Sequence, residues 1–228
     1  MDEGTTDQRN PTYEDLAGLI DYALIRPELT EEDVARGCEA AKQYGVASVI
    51  VRPSDVDLAA RWVGNSPVRL GSIVDVPHGY SSTSAKLYAA RDLLRRGAVE
   101  IETVMNTGKL LSRQFQYLEM ELSQMAEACQ ESNASLKIWL ESEYLSEELK
   151  IVACRIAKRA GAGFLATPVP ADIPLLRGHL LDRLKLECSL ADSTIEAALA
   201  LREAGCARLR TGGAAPLLEA WKTRISAA

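Results

Sequence analysis

A single-domain α/β fold, a (β/α)8 barrel, is predicted for this 228-residue chain by three observations. First, one sentence of sequence recurs: AAKQYGVASVIV at 40–51, AARDLLRRGAVEIETV at 89–104, ACRIAKRAGAGFLAT at 153–167 and ALALREAGCARLR at 198–210. Each time a helix with basic or polar residues in its last turn meets a glycine suited to a left-handed cap, and a short strand follows at once. Such helix-to-strand units imply parallel strands joined by crossover helices. Second, strand and helix patterns alternate strictly, eight of each, which is the count of a closed barrel. Third, the alternative, a doubly wound open sheet, normally needs fewer strands, and no Gly-rich dinucleotide fingerprint follows the first one.

Taken in order, residues 1–14 are polar and acidic and are expected to form a flexible arm, leaving 15–228 as the barrel. Residues 19–24 (LIDYAL) form a strand stopped by Pro27. Thr30 caps a helix whose first turn holds Glu31, Glu32 and Asp33, where the dipole favours acids; the helix runs to Tyr44 and Gly45. A strand at 46–51 is followed by a helix to about Val63, a third strand at 68–74, and a helix at 82–96 capped by Gly97. The strand at 99–105 carries Glu100 and Glu102 among apolar residues. After a turn at Asn106-Thr107-Gly108, one long helix is expected over 109–132. A strand at 135–141 contains Lys137 and Glu141, and Ser146 caps the next helix, which runs to Ala160. The strand at 163–167 precedes Pro168 and Pro170, which exclude helix there, and a short helix follows at about 172–180. Strands at 184–188 and 206–210, a helix at 192–204 and a final helix from Thr211-Gly212-Gly213 to Arg224 complete the count.

Composition narrows the function. The chain is 47% hydrophobic and 25% charged, an ordinary globular balance, and contains no apolar run long enough to span a bilayer. A formal charge of −6 argues against a general nucleic-acid binder, which needs clustered Lys and Arg. Cys38, Cys129, Cys154, Cys188 and Cys206 stand singly, without a CxxC pair, as expected for reduced thiols of a cytoplasmic protein. With two His in the whole chain and no ligand-like spacing, no metal or other cofactor is expected, although Glu102, Glu187, Asp75 and His78 are the set that would have to supply one.

In a barrel the active site lies at the carboxyl ends of the strands. The polar residues there are Asp21, Arg26, Arg52, Asp75, His78, Glu102, Asn106, Lys137, Glu141, Thr167, Glu187 and the turn Arg210-Thr211-Gly212-Gly213. Ionisable residues in apolar strands cannot all face the helix layer, so they are expected in the barrel mouth, paired with one another. Each could equally be one member of a structural ion network; the set together points to a small-molecule site. Lys137 could be a proton shuttle, a Schiff-base amine or half of an ion pair. Thr211-Gly212-Gly213 could cradle a phosphate through backbone N–H groups.

The segments LIDYALIRPELTEEDV, ASVIVRPSDVDLAA, VPHG, GAVEIETVMNTGKL, LKIWLESEYLSEE and AKRAGAGFLAT resemble the deoxyribose-phosphate aldolases, and the resemblance covers nearly all of the chain after the arm. It implies a class I aldolase on a (β/α)8 barrel, without metal, that cleaves deoxyribose 5-phosphate through a lysine Schiff base, and possession of a homodimer interface. The departures fall on the chemistry. The family's GADFIKTSTG pattern, which holds the Schiff-base lysine, reads GAGFLATPVP here, with Ala166 at the lysine position. The second lysine, of VGVKASGG, corresponds to Glu187, and the strand-four aspartate to Glu102; Asp21 and Lys137 are retained. The Gly-rich loop after the sixth strand becomes Thr167–Pro170 in position, GG after the seventh becomes Leu190-Ala191, and GASS after the eighth becomes Arg210-Thr211-Gly212-Gly213. The parent iminium mechanism therefore lacks its amine.

Three readings follow. The barrel serves a different lyase- or cyclase-type reaction, with Glu102 and Glu187 as acid and base and Lys137 and Asp21 beside them. Alternatively it is an inactive pseudo-aldolase that binds a metabolite or a protein. Or Lys137 carries iminium chemistry on an unphosphorylated aldehyde. In each, Arg52, Asp75, His78, Glu141, Thr167, Arg210, Thr211, Gly212 and Gly213 are the expected ligand contacts.

Overall fold

The computed structural model describes residues 11–180 and 183–227. Eight parallel strands close into a barrel in sequence order: β1 (Ile20–Leu24), β2 (Ser48–Val51), β3 (Arg69–Val74), β4 (Glu100–Val104), β5 (Ser135–Trp139), β6 (Phe164–Thr167), β7 (Lys185–Ser189) and β8 (Arg208–Thr211). Closure is made by β8 against β1, with Leu209 opposite Ile20 and Arg210 opposite Asp21. The helices that wrap it are α1 (Tyr13–Ala17), α2 (Glu31–Tyr44), α3 (Val56–Val63), α4 (Thr83–Arg95), α5 (Thr107–Leu111), α6 (Phe115–Glu131), α7 (Glu147–Ala160), α8 (Ile173–His179), α9 (Ile195–Glu203) and α10 (Ala214–Ser226).

The helix ends follow the local chemistry. Thr30 and Asp33 form a reciprocal capping box on α2, and Ser146 accepts from the Leu149 N–H on α7. Gly45 and Gly161 close the same two helices in the left-handed conformation, at φ 66° and 81°.

Three boundaries differ from the sequence expectation. The segment expected as arm ends earlier: Thr12 and Asp15 form a capping box on α1, Leu16 and Ala17 are buried, and Trp221 donates to the Thr12 carbonyl at 3.3 Å. Residues 1–10 of that arm lie outside the described residues. The long helix over 109–132 is two helices, because Arg113 takes φ 55°, a conformation no helix continues through. The fifth strand stops at Trp139, and Ser142–Tyr144 form a 3₁₀ turn instead.

Strand alternation creates two interiors. Outward residues such as Ile101, Leu136, Ile138, Leu186 and Leu209 join the main apolar core beneath the helices. The opposite parity faces the barrel axis, so Glu100 and Glu102, Lys137 and Trp139, Ala166, Glu187, and Arg208 and Arg210 fall inside together. One loop is pinned hard above them. Gly79 has φ 68°, and a Cβ there would lie 2.1 Å from the Val104 carbonyl oxygen.

Gly79→Ala is expected to cost about 3 kcal/mol or more, since conformational strain is joined by a clash with backbone, against about 1 kcal/mol for Gly45→Ala, where the added methyl meets open space. Urea unfolding of the two variants checks the difference; equal losses would mean that the loop gives way.

Candidate functional site

The barrel interior is organised on the ammonium of Lys137, which is fully buried. Lys137 donates to Asp21, and its Nζ lies 2.9 Å from Glu100, 3.2 Å from Glu187 and 4.0 Å from Glu102. An ammonium has three protons, so four carboxylates compete for them. Three guanidiniums share the load. Arg208 pairs with Asp21 and lies 3.4 Å from Glu100; Arg69 binds Glu100 at 2.7 Å; Arg210 binds Glu102 at 2.9 Å. Ser48 donates to Asp21 at 2.5 Å. Phe164 sits between cations, with Lys137 at 5.1 Å and Arg208 at 5.5 Å from its ring centre.

These carboxyls separate by environment. Burial alone would raise Asp21, but Lys137 and Arg208 outweigh it and hold its pKa below the usual aspartate value. Burial wins at Glu102, which is raised despite Arg210 and Lys137. It wins by more at Glu187, raised well above a normal glutamate with Lys137 only partly offsetting it. Neither Glu187 oxygen has a well-aligned hydrogen bond among the described residues. Lys137 moves the other way: burial would lower it, but Glu187, Asp21, Glu100 and Glu102 together raise it above a normal lysine. Its amine is therefore protonated at neutral pH.

Above this cluster the mouth is plugged. Trp139 stands opposite Ala166 in the β5–β6 register, and the two pack with Val104 and Val76 as a small apolar group. The indole N–H donates to Glu102 at 3.2 Å, and Arg210 lies over the ring at 4.7 Å. The volume over position 166 is thus occupied by a ring anchored on an edge and a face.

Beside the plug opens a cavity of about 650 Å³. Its polar lining includes Arg26, Arg210, Ser189, Ser193 and the Thr211–Gly213 turn, and no carboxylate belongs to it among the described residues. Thr211 accepts from the Gly213 N–H at 3.0 Å and is 2.6 Å from Ser193 Oγ, which fixes the turn from which α10 starts.

The expected ligand contacts divide. Arg210, Thr211, Gly212 and Gly213 line the cavity. Asp21, Glu102, Lys137 and Glu187 lie together beneath it, fully buried and off its surface. His78 and Glu141 meet on the rim, with Nδ1 to Oε1 at 2.7 Å and Thr107 donating to Glu141 Oε2 at 2.9 Å. Three expected contacts are engaged with their own and neighbouring loops. Arg52 binds Asp55 at 2.6 Å and the carbonyls of Pro27 and Leu29 at 3.1 and 2.9 Å. Asp75 accepts from the Ser81 N–H and hydroxyl, both at 2.7 Å, close to the buried Lys86–Glu121 pair. Thr167 is buried, 2.8 Å from Ser142 and accepting from the Val169 N–H. A strand end places a polar residue near the mouth, but its own loop is the nearest partner.

Sequence reasoning missed Arg208, Arg69, Glu100 and Trp139 as parts of the cluster. The period of two carried the signal: Glu100 shares a face with Glu102, Trp139 with Lys137, and Arg208 with Arg210. Among the described residues no set of three His, Cys, Asp or Glu side chains is placed to hold a metal ion, and no helix is long and apolar enough to cross a membrane.

The pH dependence of stability follows from these shifts. Asp21, with its pKa lowered on folding, stabilises the barrel above the ordinary aspartate range, and that contribution is lost as pH falls through its folded value. Glu187, with its pKa raised, stabilises below the ordinary glutamate range, and its contribution is lost as pH rises. Glu187→Gln is therefore expected to flatten the decline in stability as pH rises above the ordinary glutamate range. Lys137→Met leaves the buried acidic groups of Asp21, Glu100, Glu102 and Glu187 without their shared ammonium and is expected to cost about 3–5 kcal/mol. Denaturant unfolding across pH measures both; an unchanged profile in Glu187→Gln would show that this carboxyl is not held neutral.

Comparison with known proteins supplies the lineage. No family model matches the chain. A protein named deoxyribose-phosphate aldolase from Caldanaerobacter subterraneus subsp. tengcongensis is 32% identical over 216 residues, covering 91% of this chain and 94% of the relative. One of the same name from Treponema denticola is 34% identical over 203 residues, covering 86% and 94%. Among solved structures, the aldolase QR15 superposes with a TM-score of 0.86 at 26% identity, over 93% of this chain and 98% of its own.

Proposed function

The chain belongs to the deoxyribose-phosphate aldolase family, and we propose that its barrel holds an anionic small molecule at the mouth without forming an iminium with it. The observation that carries this reading is Trp139 packed on Ala166, with the Arg210 guanidinium over the ring, where the family resemblance places the Schiff-base lysine. An amine nucleophile must be free and unprotonated. Ala166 offers none, and Lys137 lies off the cavity, with its ammonium enclosed by Asp21, Glu100, Glu102 and Glu187. What favours an anion is the cavity lining, which presents Arg26 and Arg210 and no acid among its described residues, their carboxylate partners Glu28 and Glu102 lying outside it. The turn at Thr211–Gly213 adds the N-terminus of a 13-residue helix.

A second reading, acid–base turnover of the bound molecule, is favoured by one observation. Glu187 stands next to Ala166 in the β6–β7 register and is a carboxyl whose environment favours the protonated form. A carboxyl that keeps its proton near neutrality can act as a general acid. Its burial beneath the cavity sets the condition: the ligand must reach past the Trp139–Arg210 pair.

Borohydride reduction with acetaldehyde or deoxyribose 5-phosphate, read by intact mass and peptide mapping, is expected to leave Lys137 unmodified. An adduct on Lys137, or on another barrel lysine that supports turnover, would overturn the iminium-free reading. If acid–base turnover of a bound substrate is found, Glu187→Gln is expected to lower kcat by about a hundredfold or more while KM changes little. Full activity in that variant would remove Glu187 from the chemistry.

A further inference from the structure

We propose that the molecule held at this mouth is an organic acid whose carboxylate docks on Arg210, beside the indole of Trp139. The proposal rests on the anion-binding reading above and narrows its ligand class. Arg210 is held on two sides: its guanidinium lies 4.7 Å from the Trp139 ring centre, and Nη1 is 2.9 Å from Glu102. Its other terminal nitrogen, Nη2, is buried and has no hydrogen-bond partner among the described residues. An unpaired buried donor is costly, and the ring beneath and the carboxylate beside it restrict the swing that would find one elsewhere. The residue nevertheless lines the cavity, so the acceptor that completes its fork can come from a ligand.

The shape of the vacancy selects the group. Two parallel N–H bonds of a guanidinium match the two oxygens of a planar carboxylate. A tetrahedral phosphate at the same depth would bring further oxygens toward the buried Glu102 carboxyl. Trp139 lines the cavity beside that guanidinium. The turn at Gly212 and Gly213, which also lines the cavity, remains for the other end of the ligand. The position of Arg210 also explains its residue type. In the resemblance it stands where the family has the first residue of GASS, so this chain carries a fixed cation near the floor where that pattern has none.

Trp139 is one of three tryptophans, and the only one of them in the cavity lining described, so its fluorescence reports directly on Arg210. Titration with phosphoglycerate, glycerol phosphate and inorganic phosphate, followed by fluorescence and by calorimetry, tests the proposal on the full chain. Phosphoglycerate and glycerol phosphate share the phosphate and differ in the carboxylate. Phosphoglycerate is expected to bind about tenfold tighter or more, the scale of one charge-assisted hydrogen bond. In Arg210→Gln both affinities fall with the lost charge, but phosphoglycerate falls about tenfold further, so that its advantage over glycerol phosphate disappears. In Trp139→Phe the optical signal is lost and the calorimetric preference persists. Equal affinities, a preference that survives Arg210→Gln in a variant whose thermal unfolding remains cooperative, or no binding of any probe at millimolar concentration would overturn the proposal. A borohydride adduct would instead sink the iminium-free reading and leave a measured carboxylate preference standing, so the two failures are distinguishable.

Discussion

The buried ammonium of Lys137 is the contact on which the rest of the barrel depends. Asp21 comes from β1, Glu100 and Glu102 from β4, and Glu187 from β7, so one proton-bearing nitrogen ties together strands from around the ring. Arg69, Arg208 and Arg210 bring the cations to the same number as the carboxyls. Isolated, any one of these charges would be expelled or neutralised in such an interior. Paired, they fill the axis of a closed sheet that has no room for solvent, a place where barrels otherwise stack branched apolar side chains. Such a network specifies strand register more than it adds stability, because each charge has only a few positions in which it is compensated.

The unusual mouth is a consequence of that interior. In the resemblance, Ala166 and Glu187 stand at the family's two lysine positions, a correspondence that would make the floor more negative. Arg210 supplies a positive charge there, paired with Glu102, and burial raises the pKa of Glu187. Trp139 packs on Ala166, with its N–H satisfied by Glu102 and its face covered by Arg210. Ala166, Trp139, Glu102 and Arg210 thus support one another through packing, a hydrogen bond and an ion pair.

The loops around the mouth are governed by a different economy of bonds. Arg52, Asp75 and Thr167 all sit at strand ends, and all three turn back to hold backbone that would otherwise be unpaired. Lys86 and Glu121 extend the same role outside the barrel, where a fully buried pair fixes the segment containing Gly79. That rigidity keeps His78 and Glu141 at hydrogen-bonding distance on the rim.

Much of this was legible before any coordinates. Glycines at helix ends, capping residues and strict alternation determined the strands, the helices and hence the closed barrel, because those signals act within a few residues of one another. The register of polar residues along each strand likewise determined which side chains face the axis. What only tertiary structure decided were partners distant in the chain: that Arg113 breaks a helix, that Thr12 belongs to the fold, that Arg208 and Arg69 join the cluster, and that Trp139 covers Ala166. The reason is physical. A sequence position specifies direction and chemistry, but whether a charged group meets a ligand, a neighbouring strand or its own loop depends on which acceptor is closest in space, and that distance exists only after the barrel has closed.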